Sequence, residues 1–109
     1  KEYRRQRQMC IRDRFCRLGG EEFAVLLPGS KAAQAREIAE SLRERLVAQS
    51  LTVDETTLHM TLSAGVACFG VDGQSLDELM LAADRRTYAA KRAGRNRVIT
   101  REDVEPILG

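Results

Sequence analysis

At 109 residues the chain is one domain at most, and its 43% apolar and 31% charged content is that of a globular protein, with no apolar run near the roughly 18 residues of a membrane span. The net charge of +2 is uneven: residues 1–17 hold seven Lys/Arg against two acids, a local +5, so the remainder carries −3 and a broad nucleic-acid surface is excluded. Cys10, Cys16 and Cys68 are odd in number and far from any zinc spacing, and read as reduced thiols of a cytoplasmic protein.

The basic segment comes first. Within it "MCIRDR", Met9 to Arg14, back-translates as ATGTGTATAAGAGACAG plus one base, a string that matches the transposon end used in sequencing libraries. Residues 9–14 are therefore read as a sequencing artefact and residues 1–8 as a stretch that need not belong to the same gene, so that residues 1–14 are set apart from fold reasoning; a natural basic helix end is the alternative. Arg4, Arg5 and Arg7 belong to that segment and are read as artefact or solvated surface rather than as a nucleic-acid arm.

From Phe15 the pattern becomes orderly. Phe15 to Leu18 and Phe23 to Leu27 are apolar runs separated by Gly19-Gly20, which predicts a β-hairpin because glycine supplies the positive φ of tight turns. Pro28-Gly29-Ser30 ends the second strand, with Ser30 the expected N-cap of a helix. Residues 31–49 then read as that helix, amphipathic throughout. Ala35, Ile38, Ala39, Leu42 and Leu46 form its apolar stripe, and Arg36, Glu37, Glu40, Arg43 and Glu44 its wet face.

A short "LTV" strand comes next, then a polar gap at Asp54 to Thr56. Leu58, Met60, Leu62, Ala64 and Val66 alternate with polar or small residues, predicting one long strand on which His59 is a surface residue. Val71 to Gln74 is a loop. Ser75-Leu76-Asp77-Glu78 is a capping box that opens a second helix, with Leu76, Leu79, Met80 and Ala83 as its buried stripe, Tyr88 in the same register, and Gly94 as its stop. Arg97 to Thr100 is a last strand, and residues 101–109 are a tail with a possible turn of helix. This order of elements gives an α+β layer fold.

Two constellations carry chemistry. Gly19 and Gly20 let backbone approach a ligand closely, and Glu21 and Glu22 beside them are hard oxygen donors of the kind Mg²⁺ takes together with substrate phosphates. Lys91 and Arg95 flank the helix end at Gly94, where they could hold phosphate oxygens or simply complement the helix dipole.

Taken in order, "RLGGEEF-AVLLP", "TLSAGVA" and "D-x-x-x-Y-x-x-K-x-x-G-R-N" resemble the GGDEF family, the diguanylate cyclases, over about residues 15–100. The name-giving motif stands here as GGEEF, Gly19 to Phe23, and Asp84, Tyr88, Lys91, Gly94, Arg95 and Asn96 match the C-terminal signature. The resemblance implies a ferredoxin-like, nucleotidyl-cyclase palm-type antiparallel sheet with helices, truncated here at its N-terminus. It implies condensation of two GTP into cyclic di-GMP by a homodimer with Mg²⁺ or Mn²⁺, in the cytoplasm, with no nucleic acid and no membrane contact from this segment. A parent protein anchored in a membrane through upstream domains is compatible with this. By carry-over, Glu21 is the essential metal-binding and catalytic acid and Glu22 a second acid at the metal. Gly19 and Gly20 lie against the nucleotide, and Lys91 and Arg95 bind the triphosphate.

The pattern also breaks. The family's first strand, with an aspartate completing the metal site, and its guanine-reading Asn/Asp pair have no counterpart, so the segment alone is expected to be inactive. Of the inhibitory R-x-x-D site, Asp13 falls at the aspartate position but Cys10 stands in place of the arginine. The alternative is a non-catalytic GGDEF domain that binds GTP or relays a signal. A more distant one is a related palm-like nucleotidyl transferase, told apart by its product from GTP or ATP.

Overall fold

The computed structural model describes residues 10–12 and 15–104, with side chains from residue 15 onward except residue 16. Most of the segment set apart as an artefact, including Arg4, Arg5, Arg7 and Asp13, lies outside the described residues, as do residues 105–109 of the tail. The chain divides into two units, Lys1–Ser30 and Lys31–Gly109, each described by itself.

In the first unit β1 (Cys10–Arg12), β2 (Phe15–Gly19) and β3 (Glu22–Val25) form an antiparallel sheet in that order. The expected hairpin is present, and its turn residues are Gly20 and Glu21, one step later than Gly19-Gly20, because Gly19 pairs with Glu22. Phe15 opposite Val25 and Arg17 opposite Phe23 share one face, and the Phe15 and Phe23 rings sit 5.3 Å apart. Leu18, on the other face, is buried.

The second unit opens with α1 (Ala32–Ala48). Ser30 is not its cap. Ser30 instead closes the preceding turn by donating its N–H to the Leu27 carbonyl, and Lys31 holds the cap position, its N–H donating to Gln34 Oε1 at 2.9 Å. The glutamine thus supplies the reach-back half of a capping box. The predicted stripe is present but largely uncovered: no residue of α1 is buried, and Ile38 and Leu42 are 41% and 49% exposed.

β4 (Ser50–Val53) and β5 (Thr56–His59) pair as a hairpin across Asp54 and Glu55, both at positive φ. That sign pattern belongs to a type I′ turn, whose twist matches that of the strands. The single long strand read from the alternation is two: β5 ends at His59 and β6 (Ser63–Gly65) begins after a break. The reason is a change of partner, since β5 pairs antiparallel with β4 while β6 pairs in parallel with β7 (Arg97–Ile99).

Between β6 and β7 runs α2 (Leu76–Arg92), which packs on both strands. Ser75 caps it as expected, its Oγ accepting from the Glu78 N–H, but the Glu78 carboxylate takes the Gln74 N–H at 2.6 Å rather than that of Ser75. Ala90 is fully buried on α2 and Val98 nearly so on β7. Gly65 lets the layers close, because a Cβ there would overlap the Ala83 carbonyl and the Thr87 amide of α2. The predicted stripe of Leu76, Leu79, Met80 and Ala83 is half-buried, and Tyr88 is 61% exposed because it lies off that stripe. A short α3 (Arg101–Val104) comes last, where the Thr100 N–H and Oγ1 both donate to Asp103 Oδ2. The described strands thus make two antiparallel sheets and one parallel pair with helices, an α+β arrangement.

Candidate functional site

The acidic turn belongs to the first unit. Gly20 takes φ +55° as the first turn residue, a position where a side chain would be strained, and it faces open space. Arg17 reaches along the turn and donates from Nη2 to the Gly20 carbonyl at 2.8 Å. The hairpin therefore presents Glu21 at its tip and Glu22 at the first pair of β3, both exposed. The Glu21 carboxylate meets no partner among the described residues. Gly19 is half-buried and Gly20 exposed, so backbone at the tip is open to approach. Arg17 is a cation beside this turn that apolar patterning passed over; its pairing opposite Phe23 in the hairpin register is the signal for it.

Two adjacent carboxylates at an open turn are hard oxygen donors, which suits Mg²⁺ or Mn²⁺ bound jointly with phosphate oxygens. Among the described residues no three His, Cys, Asp or Glu side chains cluster to hold a metal alone. The donor set fits such a metal as part of its coordination.

Lys91 and Arg95 belong to the second unit, at the C-terminus of α2. The helix ends in a Schellman motif: the Gly94 N–H donates to the Lys91 carbonyl and the Arg95 N–H to the Ala90 carbonyl at 2.9 Å. Gly94 (φ +122°), Arg95 (φ +65°) and Asn96 (φ +52°) all have positive φ. For Arg95 this left-handed conformation costs roughly 1 kcal/mol or more. Surrounding bonds hold it there. Arg97 Nε donates to the Arg95 carbonyl at 3.0 Å, and the Asn96 N–H donates to Ser63 Oγ at 3.1 Å. The Arg95 guanidinium is exposed and meets no partner among the described residues, while Lys91 is half-buried and engaged. A pinned backbone thus carries an uncommitted fork of donors, the form that suits phosphate oxygens.

The second unit also holds an ion pair that sequence reading missed. Arg86 donates from Nη2 to Asp72 Oδ1 at 2.9 Å and from Nη1 to the Val66 carbonyl at 2.7 Å, both side chains being 6% exposed. The Cys68 N–H donates to Asp72 Oδ2 at 2.7 Å, and Arg101 Nε lies 3.9 Å from Oδ1. The hydrogen bond from Arg86 holds the Asp72 carboxyl below the usual carboxylate range; burial opposes this, and the Cys68 N–H and the charges of Arg86 and Arg101 add to it. The signal was available: Leu79, Ala83, Arg86 and Ala90 lie on one stripe at spacings of four, three and four. Cys68 is a free, half-buried thiol, His59 is exposed on β5, and no helix among the described residues is long and apolar enough to cross a membrane.

Residues 4–97 match the family described as "Diguanylate cyclase, GGDEF domain". The chain is 36% identical over 86 residues to "Diguanylate cyclase A" of Treponema denticola, covering 79% of this chain and 23% of that protein. It is 38% identical over 86 residues to "Response regulator PleD" of Caulobacter vibrioides, covering 77% and 19%. To "Diguanylate cyclase VdcA" of Vibrio cholerae it is 40% identical over 87 residues, covering 76% and 25%. The chain thus spans a quarter or less of the length of these relatives.

Proposed function

This chain belongs to the GGDEF domain family, and on that premise we propose that the protein it comes from is a diguanylate cyclase, condensing two GTP molecules into cyclic di-GMP. The observation that carries the reading is the Glu21 carboxylate, without a partner among the described residues and held at the tip of a hairpin whose Gly20 backbone is open. In this reading Glu21 and Glu22 hold Mg²⁺ or Mn²⁺. When bound, that ion neutralises charge at the α-phosphate and makes the 3′-hydroxyl a better nucleophile. Glu21 also accepts the hydroxyl proton, Gly19 and Gly20 allow the nucleotide to lie against the turn, and Lys91 and Arg95 take the triphosphate oxygens.

Two such domains are needed, each of a homodimer presenting one GTP, and the reaction takes place in the cytoplasm. The fold is read as a ferredoxin-like palm, completed by a strand that carries a further metal-binding aspartate and by a guanine-reading Asn/Asp pair. The 109-residue segment by itself therefore makes no cyclic di-GMP.

The experiment is Glu21→Ala in the full-length protein, assayed for cyclic di-GMP from GTP. Loss of turnover by at least about a hundredfold is expected. Undiminished product would overturn the assignment, and a wild-type protein that binds GTP without turning it over would favour the signal-relay reading instead.

A further inference from the structure

We propose that Arg43, on α1, is a positioning residue for the triphosphate site, acting on Arg95 through Asn96. The inference rests on the reading of Arg95 as a phosphate ligand. Three consecutive residues, Gly94, Arg95 and Asn96, are at positive φ, and only glycine takes that region freely. The last of the three is gripped from a distant part of the sequence: Arg43 Nη1 donates to Asn96 Oδ1 at 3.0 Å. The Arg43 guanidinium is itself aimed, because its Nε donates to Glu40 Oε1 at 2.8 Å one turn back on α1. From the other side Ser63 Oγ accepts the Asn96 N–H, which ties the same residue to β6.

Asn96 is thus fixed by its side chain to α1 and by its backbone to β6. Arg95, between it and the Schellman bonds of α2, has its N–H and its carbonyl both engaged. Only its guanidinium is left without a partner among the described residues. A ligand group whose backbone is already immobilised loses less freedom on binding, which is the source of affinity in pre-organised sites. Releasing Asn96 from Arg43 lets the strained turn relax, and the guanidinium then samples positions that no longer meet the phosphates. Arg43 itself touches no substrate in this arrangement. Its charge is directed at Glu40 and its free fork at the Asn96 amide.

The test is a double-mutant cycle in the full-length protein, with Arg43→Ala, Arg95→Ala and the pair, reading KM for GTP and kcat. Arg43→Ala is expected to raise KM about five- to tenfold, the scale of one lost hydrogen bond to a charged group, with kcat within about twofold. In the Arg95→Ala background the same change is expected to move KM by less than about twofold, since the residue it positions is gone. Arg43→Lys keeps a donor for Asn96 and is expected to recover most of the affinity.

Equal losses in both backgrounds, or no loss from Arg43→Ala, would overturn the positioning role while leaving the phosphate site intact. An unchanged KM in Arg95→Ala would overturn the phosphate site and this role together. If Arg43→Ala melts early, the lysine variant decides: a KM as high as that of the alanine variant, in a protein of wild-type melting temperature, also overturns the role.

Discussion

At the scale of single residues, function and stability separate. Glu21 and Arg95 are exposed side chains without partners among the described residues, so changing them leaves packing alone and any loss of turnover reports on chemistry. Lys91 is placed with Arg95 at the end of α2, and Lys91→Ala in the full-length protein should raise KM for GTP by about tenfold while lowering kcat less, as loss of ground-state phosphate binding does. Steady-state kinetics over a GTP series distinguishes this from the collapse of kcat expected of Glu21→Ala. Gly65 is the opposite case. It carries no side chain to do chemistry, yet a methyl group there would drive into the backbone of α2 at Ala83 and Thr87. Gly65→Ala should therefore destabilise by about 3 kcal/mol, the upper end of overpacking, read as a lowered urea midpoint at unchanged slope.

At the scale of elements, one buried charged pair joins a loop to a helix within the second unit. Asp72 and Arg86 fasten the Val66–Asp72 loop onto α2, and Arg86 keeps the Asp72 carboxyl ionised to lower pH than in the unfolded chain. The unfolded state therefore takes up the proton first. The stabilisation is complete above about pH 4 and is lost as pH falls through the depressed value. Acid titration of α2 amide exchange should show this slope, and Asp72→Asn, itself destabilised by about 3 kcal/mol, should flatten it. These elements also mark what periodicity can reveal. Both long helices and the first hairpin were legible within a residue or two, because stripes and glycine turns are local properties. The break after His59 was not, since strict alternation from Leu58 to Val66 carries no mark of where a strand exchanges an antiparallel partner for a parallel one. Ser30 lost the cap to Lys31 because Gln34 supplied the reach-back bond, a competition settled in three dimensions. Of the proposed site, the motif acids and the helix-end cations are named by the order of the motifs. Arg43 could not, since it lies on the wet face of a helix and meets Asn96 only after folding.

At the scale of the whole molecule, apolar surface is the dominant feature. Ile38, Leu42 and Val47 on α1, and Leu51, Val53, Leu58 and Met60 around the β4–β5 hairpin, are all more than two-fifths exposed. Leu51 and Leu58 face one another across that hairpin, so the exposure is contiguous there. Patches of this kind are seldom left bare. The 109-residue chain should self-associate at micromolar concentration, and sedimentation velocity across a dilution series should show it, whereas a longer protein that covers these faces should stay discrete. The parallel pairing of β6 with β7 has a consequence in time. The two hairpins can zip locally within microseconds, because their strands are neighbours in the chain. The β6–β7 pair encloses the whole of α2, so the chain must close a long loop before that pairing returns any energy. On the ribosome, β6 waits for β7 until the whole of α2 has emerged, and the Gly94–Asn96 turn just before β7 takes shape with that late pairing.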